Sequence, residues 1–506
     1  MDLKRTLYQL WKENPERPCL VDEDQRWTLD QVVRRSVALS RLIVMGDQSE
    51  TGHVALILPN SEMFVTCFLG CLAADRAAVP INYLMTPPEV AFILDHAQVR
   101  LAVTVSAFRP LLEAACQACP TPVRVAYLDE MLAGFGAEQI ASAVAMADPA
   151  VLDSGADDPG RTACLIYTSG TTGVAKGVML SHGNLVANCA SVREALVVYP
   201  QDVFLAVLPL FHAFGLTATL FLPLLWGAST VLMRRFHPTA TIEVVEREKV
   251  TILPMVASMF ALLMRVAARE PSRLSSVRMA IAGGGPLPPS LAEEFQQRLG
   301  FPIFQGYGLT EASPVVATNH PWACRPTSVG RPLPGLRVEI RDDDGKVLPA
   351  GETGEVFVAG GSVMAGYYRN PEATAATVDA NGWLRTGDTG YLDADGFLYV
   401  TGRKKDMIIQ SGEKIFPQEI EHILVSHPSV AEAVVVGIRD PLRGEFPKAF
   451  LVLQEGATVD ERELRYWCAE RMAGFKVPRE FEVLAELPKN TLGKVLKREL
   501  SERAKA

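Results

Sequence analysis

Between Cys164 and His182 the chain reads CLIYTSGTTGVAKGVMLSH, with three glycines, a cluster of hydroxyl side chains and one lysine between two apolar runs. Gly170, Gly173 and Gly177 open backbone conformations closed to other residues and let a ligand approach the main chain. Thr168, Ser169, Thr171 and Thr172 add hydroxyl donors, and Lys176 adds an ammonium. Successive N–H groups, hydroxyls and a cation suit a polyphosphate. The stretch is not the common G-x-x-x-x-G-K-[ST] loop, because Ala175 stands where the second glycine would be. A solvated surface loop would have the same composition, and at this point both readings stay open.

Other stretches carry chemistry of their own. AGGGPL (282–287) follows the strand-like VRMAI, and glycines there weaken packing, marking close approach of a backbone or ligand. GYGLTE (306–311) is not a dinucleotide fingerprint, since Glu311 occupies the place of its third glycine; alone it could be a structural turn. His212, in LPLFHAFGL, is either a hydrogen-bonded core histidine or part of a site. Cys116 and Cys119 form a C-x-x-C with no second pair, so plain reduced thiols are expected.

These residues need elements to hold them. A chain of 506 residues exceeds one compact core, so two or more domains are expected. Apolar runs such as HVALILPN, RLAVTVS and VRMAIAGGG alternate with the helical patterns SEMFVTCFLGCLAADR, FRPLLEAACQA and SLAEEFQQRLG, which predicts α/β layers with largely parallel sheets. After Asn319 glycine and proline become dense and short strands alternate with turns, predicting an antiparallel β subdomain. A boundary at Arg403-Lys404-Lys405 divides a large N-terminal domain, 1–404, from a small α+β domain, 405–506.

Bulk properties exclude several classes. A net charge of −9 gives no reason to expect nucleic acid or an anionic membrane as partner. The opening MDLKRTLYQLWKENPERP has charges where a signal peptide needs an apolar core, and SERAKA carries no short C-terminal address. Nine scattered cysteines suit a reduced, cytoplasmic protein. Val203 to Met233 has no formally charged side chain, yet Pro209, Gly215, Pro223 and Gly227 cut it into pieces. It reads as a strand, a loop with Phe211 and His212, and a core helix.

YTSGTTGVAKGVMLSH resembles the signature loop of the adenylate-forming superfamily, which includes acyl- and aryl-CoA synthetases. GYGLTEASP (306–314), WLRTGDTGYLD (383–393), YVTGRKKDMI (399–408) and PKNTLGKVLKREL (488–500) match in the expected order, and the opening LWKENPERPCLVDEDQRWTLDQVV is similar to the family's N-terminal pattern. The resemblance implies that the 168–177 loop holds the β- and γ-phosphates of ATP. It also implies that Gly283, Gly284, Gly285, Gly306 and Gly308 line the nucleotide, that Tyr307 packs on adenine, and that Thr310 touches the α-phosphate. Glu311 would hold Mg2+, Asp388 the ribose, and Arg403 would add a second contact. Lys494 would bridge the carboxylate and α-phosphate during adenylation. Lys405 would be the pivot on which the small domain turns to bring Ser411 and Gly412 to the pantetheine channel of coenzyme A. QSGEK departs mildly from the family's usual glycine pair there.

Amino-acid-activating relatives place an Asp after the Phe of the loop reading LPLFHAFGL, where this chain has His212, so an amino-acid substrate is disfavoured, and the resemblance implies that His212 is a catalytic residue near the reacting carboxyl and the gate to the pocket. The implied pocket residues Phe211, Ala213, Phe214, Gly215, Ala218, Pro314 and Val315 are uncharged, which counts against a second carboxylate in the substrate. A medium- or long-chain fatty acid is the expected substrate, with an aryl or cinnamic-type acid as the alternative. Coenzyme A is the expected acceptor, with an acyl-carrier protein as the competing one. The expected assembly is a monomer or homodimer. A binding protein that has lost catalysis is the third reading, against which Thr310, Glu311 and Lys494 all stand.

Overall fold

The computed structural model describes residues 2–47, 52–169, 175–410, 413–440, 444–489 and 495–504. Four sheets organise them. The first runs, from edge to edge, Gly366–Tyr367, Ala175–Ser181, Thr162–Ser169, Ala77–Pro80, His53–Ile57, Leu101–Thr104 and Arg124–Tyr127. Its last five strands are parallel, and the first two join antiparallel. Every residue of His53–Ile57 is buried, as a continuous apolar run becomes when helices cover both faces of a parallel sheet.

The second sheet places Val203–Ala206 beside Ser229–Leu232 on one side and Ile252–Met255, Met279–Ala282 and Ile303–Gly308 on the other, all parallel. One hydrophobic core runs between the two sheets; Phe68 of the helix Glu62–Ala73 meets Phe221 edge-on at 5.3 Å within it. Two smaller antiparallel sheets follow. Leu336–Arg341, Gly354–Gly360, Leu384–Leu392 and Leu398–Arg403 form a four-stranded one. Ile408–Gln410, Glu413–Ile415, Val430–Asp440 and Gly444–Leu453 form the other, which Glu480–Val483 joins in parallel. The expected layered α/β architecture with a β subdomain and a smaller α+β C-terminal part is what the chain adopts.

The segment 203–233 differs in detail from its expectation. Helical backbone runs from Ala213 to Leu225 through a π-helical turn at Leu216–Phe221, and a second strand, Ser229–Leu232, follows. Pro223 falls inside this run, and the Thr219 carbonyl, one turn before it, accepts instead from the Thr230 hydroxyl at 2.9 Å. Among the described residues no helix is long and apolar enough to cross a membrane.

Candidate active site

The strands that flank the glycine-rich stretch form a hairpin. Thr162–Ser169 and Ala175–Ser181 pair antiparallel, with Thr168 opposite Lys176 and Tyr167 opposite Gly177. Gly170, Thr171, Thr172 and Gly173 lie outside the described residues, as does the side chain of Ser169. The base of the hairpin is braced. A Cβ at Gly177 would sit 3.0 Å from the Tyr167 ring, so glycine lets that ring lie flat across the partner strand, where its hydroxyl meets His96 Nδ1 at 2.8 Å.

Residues 364–368 are stitched to this hairpin. Ala365 N donates to Met179 O at 3.1 Å and Tyr368 N to Gly177 O at 2.8 Å. Met364 N donates to Glu311 O at 2.9 Å. Tyr367 is thereby set between two charged groups. Its hydroxyl donates to Glu311 Oε1 at 2.8 Å, and Lys176 Nζ lies 4.9 Å from its ring centroid. Burial, reinforced by the Glu311 carboxylate, raises the Tyr367 phenol above its ordinary range, so it stays a donor.

A second polar centre forms where the strands Leu384–Leu392 and Leu398–Arg403 pair Asp388 with Arg403. Arg403 Nε is 2.8 Å from Asp388 Oδ1, and the Tyr307 hydroxyl donates to Asp388 Oδ2 at 2.6 Å. Asp388 is 4% exposed. Burial, then the adjacent carboxylate, drives the Tyr307 phenol well upward.

Between the two centres runs the turn 306–315. Gly308 is obligatory, because a Cβ there would stand 2.0 Å from Pro314 O. That carbonyl accepts from Leu309 N at 2.9 Å, so Thr310 and Glu311 are presented on a closed turn. Asn188, buried in the helix His182–Leu196, anchors the turn's far end. Its Nδ2 donates to Val315 O at 2.7 Å and Ala312 O at 3.3 Å, while Val315 N donates to its Oδ1 at 3.3 Å.

The glycine strip faces the remaining candidates. A Cβ on Gly283 would be 2.8 Å from Phe214 ring atoms, so that ring lies directly against the backbone. Gly284 adopts φ +78°, and a Cβ at Gly285 would meet open space. Phe211 lies 4.8 Å from His212, ring to ring, and meets Tyr83 edge-on at 5.4 Å. His212 Nε2 is buried without a hydrogen-bond partner among the described residues, and burial pulls the imidazole down to about 4, leaving it neutral at physiological pH. Gly215 serves packing, since a Cβ would fall 2.2 Å from Pro209 O. Ala213, Ala218 and Pro314 are buried, and Val315 is half-buried.

At the border of the small sheets, Lys404 Nζ pairs with Asp343 and Glu355, each at 2.9 Å, whereas Lys405 is exposed and makes no ion pair among the described residues. Lys494, Ser411 and Gly412 lie outside the described residues. Tyr367, Asn188 and Asn60 (below) carry no motif signal. Asn188 shares a helical face with Leu185 and Val192, and its burial there comes from the fold.

No group of three or more His, Cys, Asp or Glu suited to a metal occurs among the described residues. Glu311, with one oxygen on Tyr367 and Oε2 without a partner among those residues, fits Mg2+, which takes one or two carboxylates and completes its shell with phosphate oxygens and water.

The AMP-binding enzyme family matches residues 7–368, and the AMP-binding enzyme C-terminal domain matches 419–494. The chain is 36% identical to a sulfoacetate–CoA ligase of Cupriavidus necator, over 95% of this chain and 94% of that one. It is 33% identical to a long-chain-fatty-acid–CoA ligase of Bacillus subtilis, over 96% and 92%. Its fold superposes with a TM-score of 0.84 on the o-succinylbenzoate–CoA synthetase of Bacillus subtilis in complex with ATP and magnesium, at 34% identity and 98% coverage of both chains. Similarity that runs through both domains, rather than through one loop, settles the kinship: the chain belongs to the AMP-binding enzyme family and is an AMP-forming acid–thiol ligase that uses ATP, Mg2+ and coenzyme A.

Proposed function

We propose that the acid activated here is a medium- or long-chain fatty acid, converted to its acyl-adenylate and passed to coenzyme A in the cytoplasm. The observation that carries the substrate reading is the neutral, unpartnered His212. An imidazole held uncharged offers no fixed cation to a second acidic group, and Ala213, Gly215, Ala218, Pro314 and Val315 add no charge around it. An aryl acid is the second reading. The Phe214 ring against Gly283 makes a flat apolar wall that suits a ring as well as a chain. The unbridged cysteines suit a reducing compartment.

In this reading a carboxylate oxygen attacks the α-phosphorus and the bond to the pyrophosphate oxygen breaks. Both reactants are anions, so the protein must offset charge and hold the line of attack. Lys176 and the hairpin tip hold the outer phosphates, Thr310 and Glu311 face the reacting end, and Tyr307, Asp388 and Arg403 hold the nucleoside. Mg2+, when bound at Glu311, neutralises phosphate charge. Lys494 would bridge the two anions. The thiol sulfur then attacks the acyl carbon, the bond to AMP breaks, and the thiol proton leaves to solvent. The boundary between 404 and 405 supports a swing between the steps: Lys404 is tied to Asp343 and Glu355, whereas Lys405 is exposed and makes no ion pair among the described residues.

Pyrophosphate release across straight-chain, aryl, dicarboxylic and sulfonated acids, with coenzyme A or an acyl-carrier protein as acceptor, tests the reading. Straight-chain acids with coenzyme A are expected to give the highest kcat/KM. A dicarboxylic or sulfonated acid as best substrate would overturn it, and a preference for the carrier protein would overturn the acceptor.

A further inference from the structure

Asn60 lies beyond the strand His53–Ile57, just before the helix Glu62–Ala73, whose first turn is capped by Ser61. The side chain is 4% exposed, and all of its hydrogen-bonding capacity points away from its own sheet. Nδ2 donates to Leu208 O at 2.9 Å, Ala206 O at 3.1 Å and Met233 O at 3.2 Å; Leu210 N donates to Oδ1 at 2.9 Å. Carbonyls on one side and an N–H on the other fix the amide's orientation.

Those partners share one location. Ala206 ends the strand Val203–Ala206, and Met233 follows the adjacent strand Ser229–Leu232, so Asn60 grips the carboxyl ends of two parallel strands in the second sheet from a loop of the first. Ligand-bearing loops leave parallel strands at that end. Leu208 and Leu210 belong to the loop that continues into Phe211 and His212. The loop closes on itself at once: His212 N donates to Pro209 O at 3.1 Å, and Gly215 packs on the same carbonyl. From Ala206 to His212, then, the loop is held by Asn60 behind and by its own turn ahead. Only an amide serves here. A carboxylate would face carbonyl oxygens, and an apolar residue would leave buried backbone groups unpaired.

We infer that Asn60 is a positioning residue for the acid-binding side of the site, setting the place of Phe211 and His212 through the backbone of 206–210. The inference rests on the reading above only for which side of the site this loop serves. It does not depend on which acid is bound.

The test uses the full chain and whichever acid the wild type turns over best, so a wrong substrate assignment leaves it intact. Asn60→Ala is expected to raise KM for the acid about tenfold or more while KM for ATP stays within about twofold. Phe295→Leu, a truncation where its ring packs against Phe260 and Phe301, supplies a destabilised control that should lower the melting temperature without that split. Should Asn60→Ala fail to fold, the isosteric Asn60→Asp is expected to show the same split, narrowing toward pH 5 as a protonated carboxyl regains one donor. Equal rises in both KM values, or a fall in kcat with both unchanged as in the control, would overturn the inference.

Discussion

Tyr367 meets Glu311 with its hydroxyl, at 2.8 Å, and Lys176 with the face of its ring, at 4.9 Å from the centroid. One side chain thus spaces a cation from an anion while holding both. The ring attracts the ammonium through its negative face, and the O–H donates to the carboxylate. The oxygen directed at Tyr367 is fixed, and the other, without a partner among the described residues, suits a divalent cation.

Tyr367→Phe keeps the ring under Lys176 and deletes only the hydroxyl. A hydrogen bond to a charged group contributes about 1.5–3 kcal/mol, so acyl-AMP formation at limiting Mg2+ is expected to fall about tenfold or more. Saturating Mg2+ should recover part of it. Pyrophosphate release titrated against Mg2+ measures this; an unchanged Mg2+ dependence would exclude the role.

Gly283→Ala forces its new methyl into the Phe214 ring, 2.8 Å away. The ring must move, and KM for the acid is expected to rise several-fold. In a Phe214→Ala background that effect should largely vanish, since neighbouring residues couple in a double-mutant cycle. An equal penalty in both backgrounds would show that the ring is not the obstacle.

Lys494→Ala is expected to abolish acyl-AMP formation while leaving thioester formation from supplied acyl-AMP much less affected. Equal loss of both half-reactions refutes the assigned role. Lys405→Pro should stiffen the border and slow the passage from one step to the other; an unaltered overall rate would place the pivot elsewhere.

His182 is 1% exposed, and burial, aided by the positive charge of Arg161, pulls its imidazole down to about 4. A histidine depressed in the fold binds its proton more readily when unfolded. Its contribution to stability is therefore present above the ordinary value near 6.5 and is lost as pH falls from there toward 4. One such group costs up to about 1.4 kcal/mol per pH unit across that window. Urea midpoints at pH 7 and pH 5 should differ less in His182→Gln than in the wild type, and an identical difference would exclude this source.

Local patterning carried a large part of this protein into view. HVALI, MAIA and VFLA are short, mostly apolar runs that become largely buried parallel strands. Glycines at 177, 283 and 308 marked places where a side chain would collide, and each does meet a ring or a carbonyl when a Cβ is built there. The π-helical turn Leu216–Phe221 had no comparable mark, because its hydrogen-bond shift depends on how the segment packs against the core.

The residues with chemical types and short-range spacing, such as Lys176, Tyr307, Glu311 and Asp388, were determined by the chain itself, since a motif is a local object. Which neighbours orient them was decided only by the tertiary structure. Tyr367 reaches Glu311 across 56 positions, and Asn60 reaches Leu210 across 150. A tyrosine or an asparagine looks the same in any sequence; its partner is whatever unpaired polar group the packing of distant elements brings within 3 Å, and burial then makes that pairing obligatory.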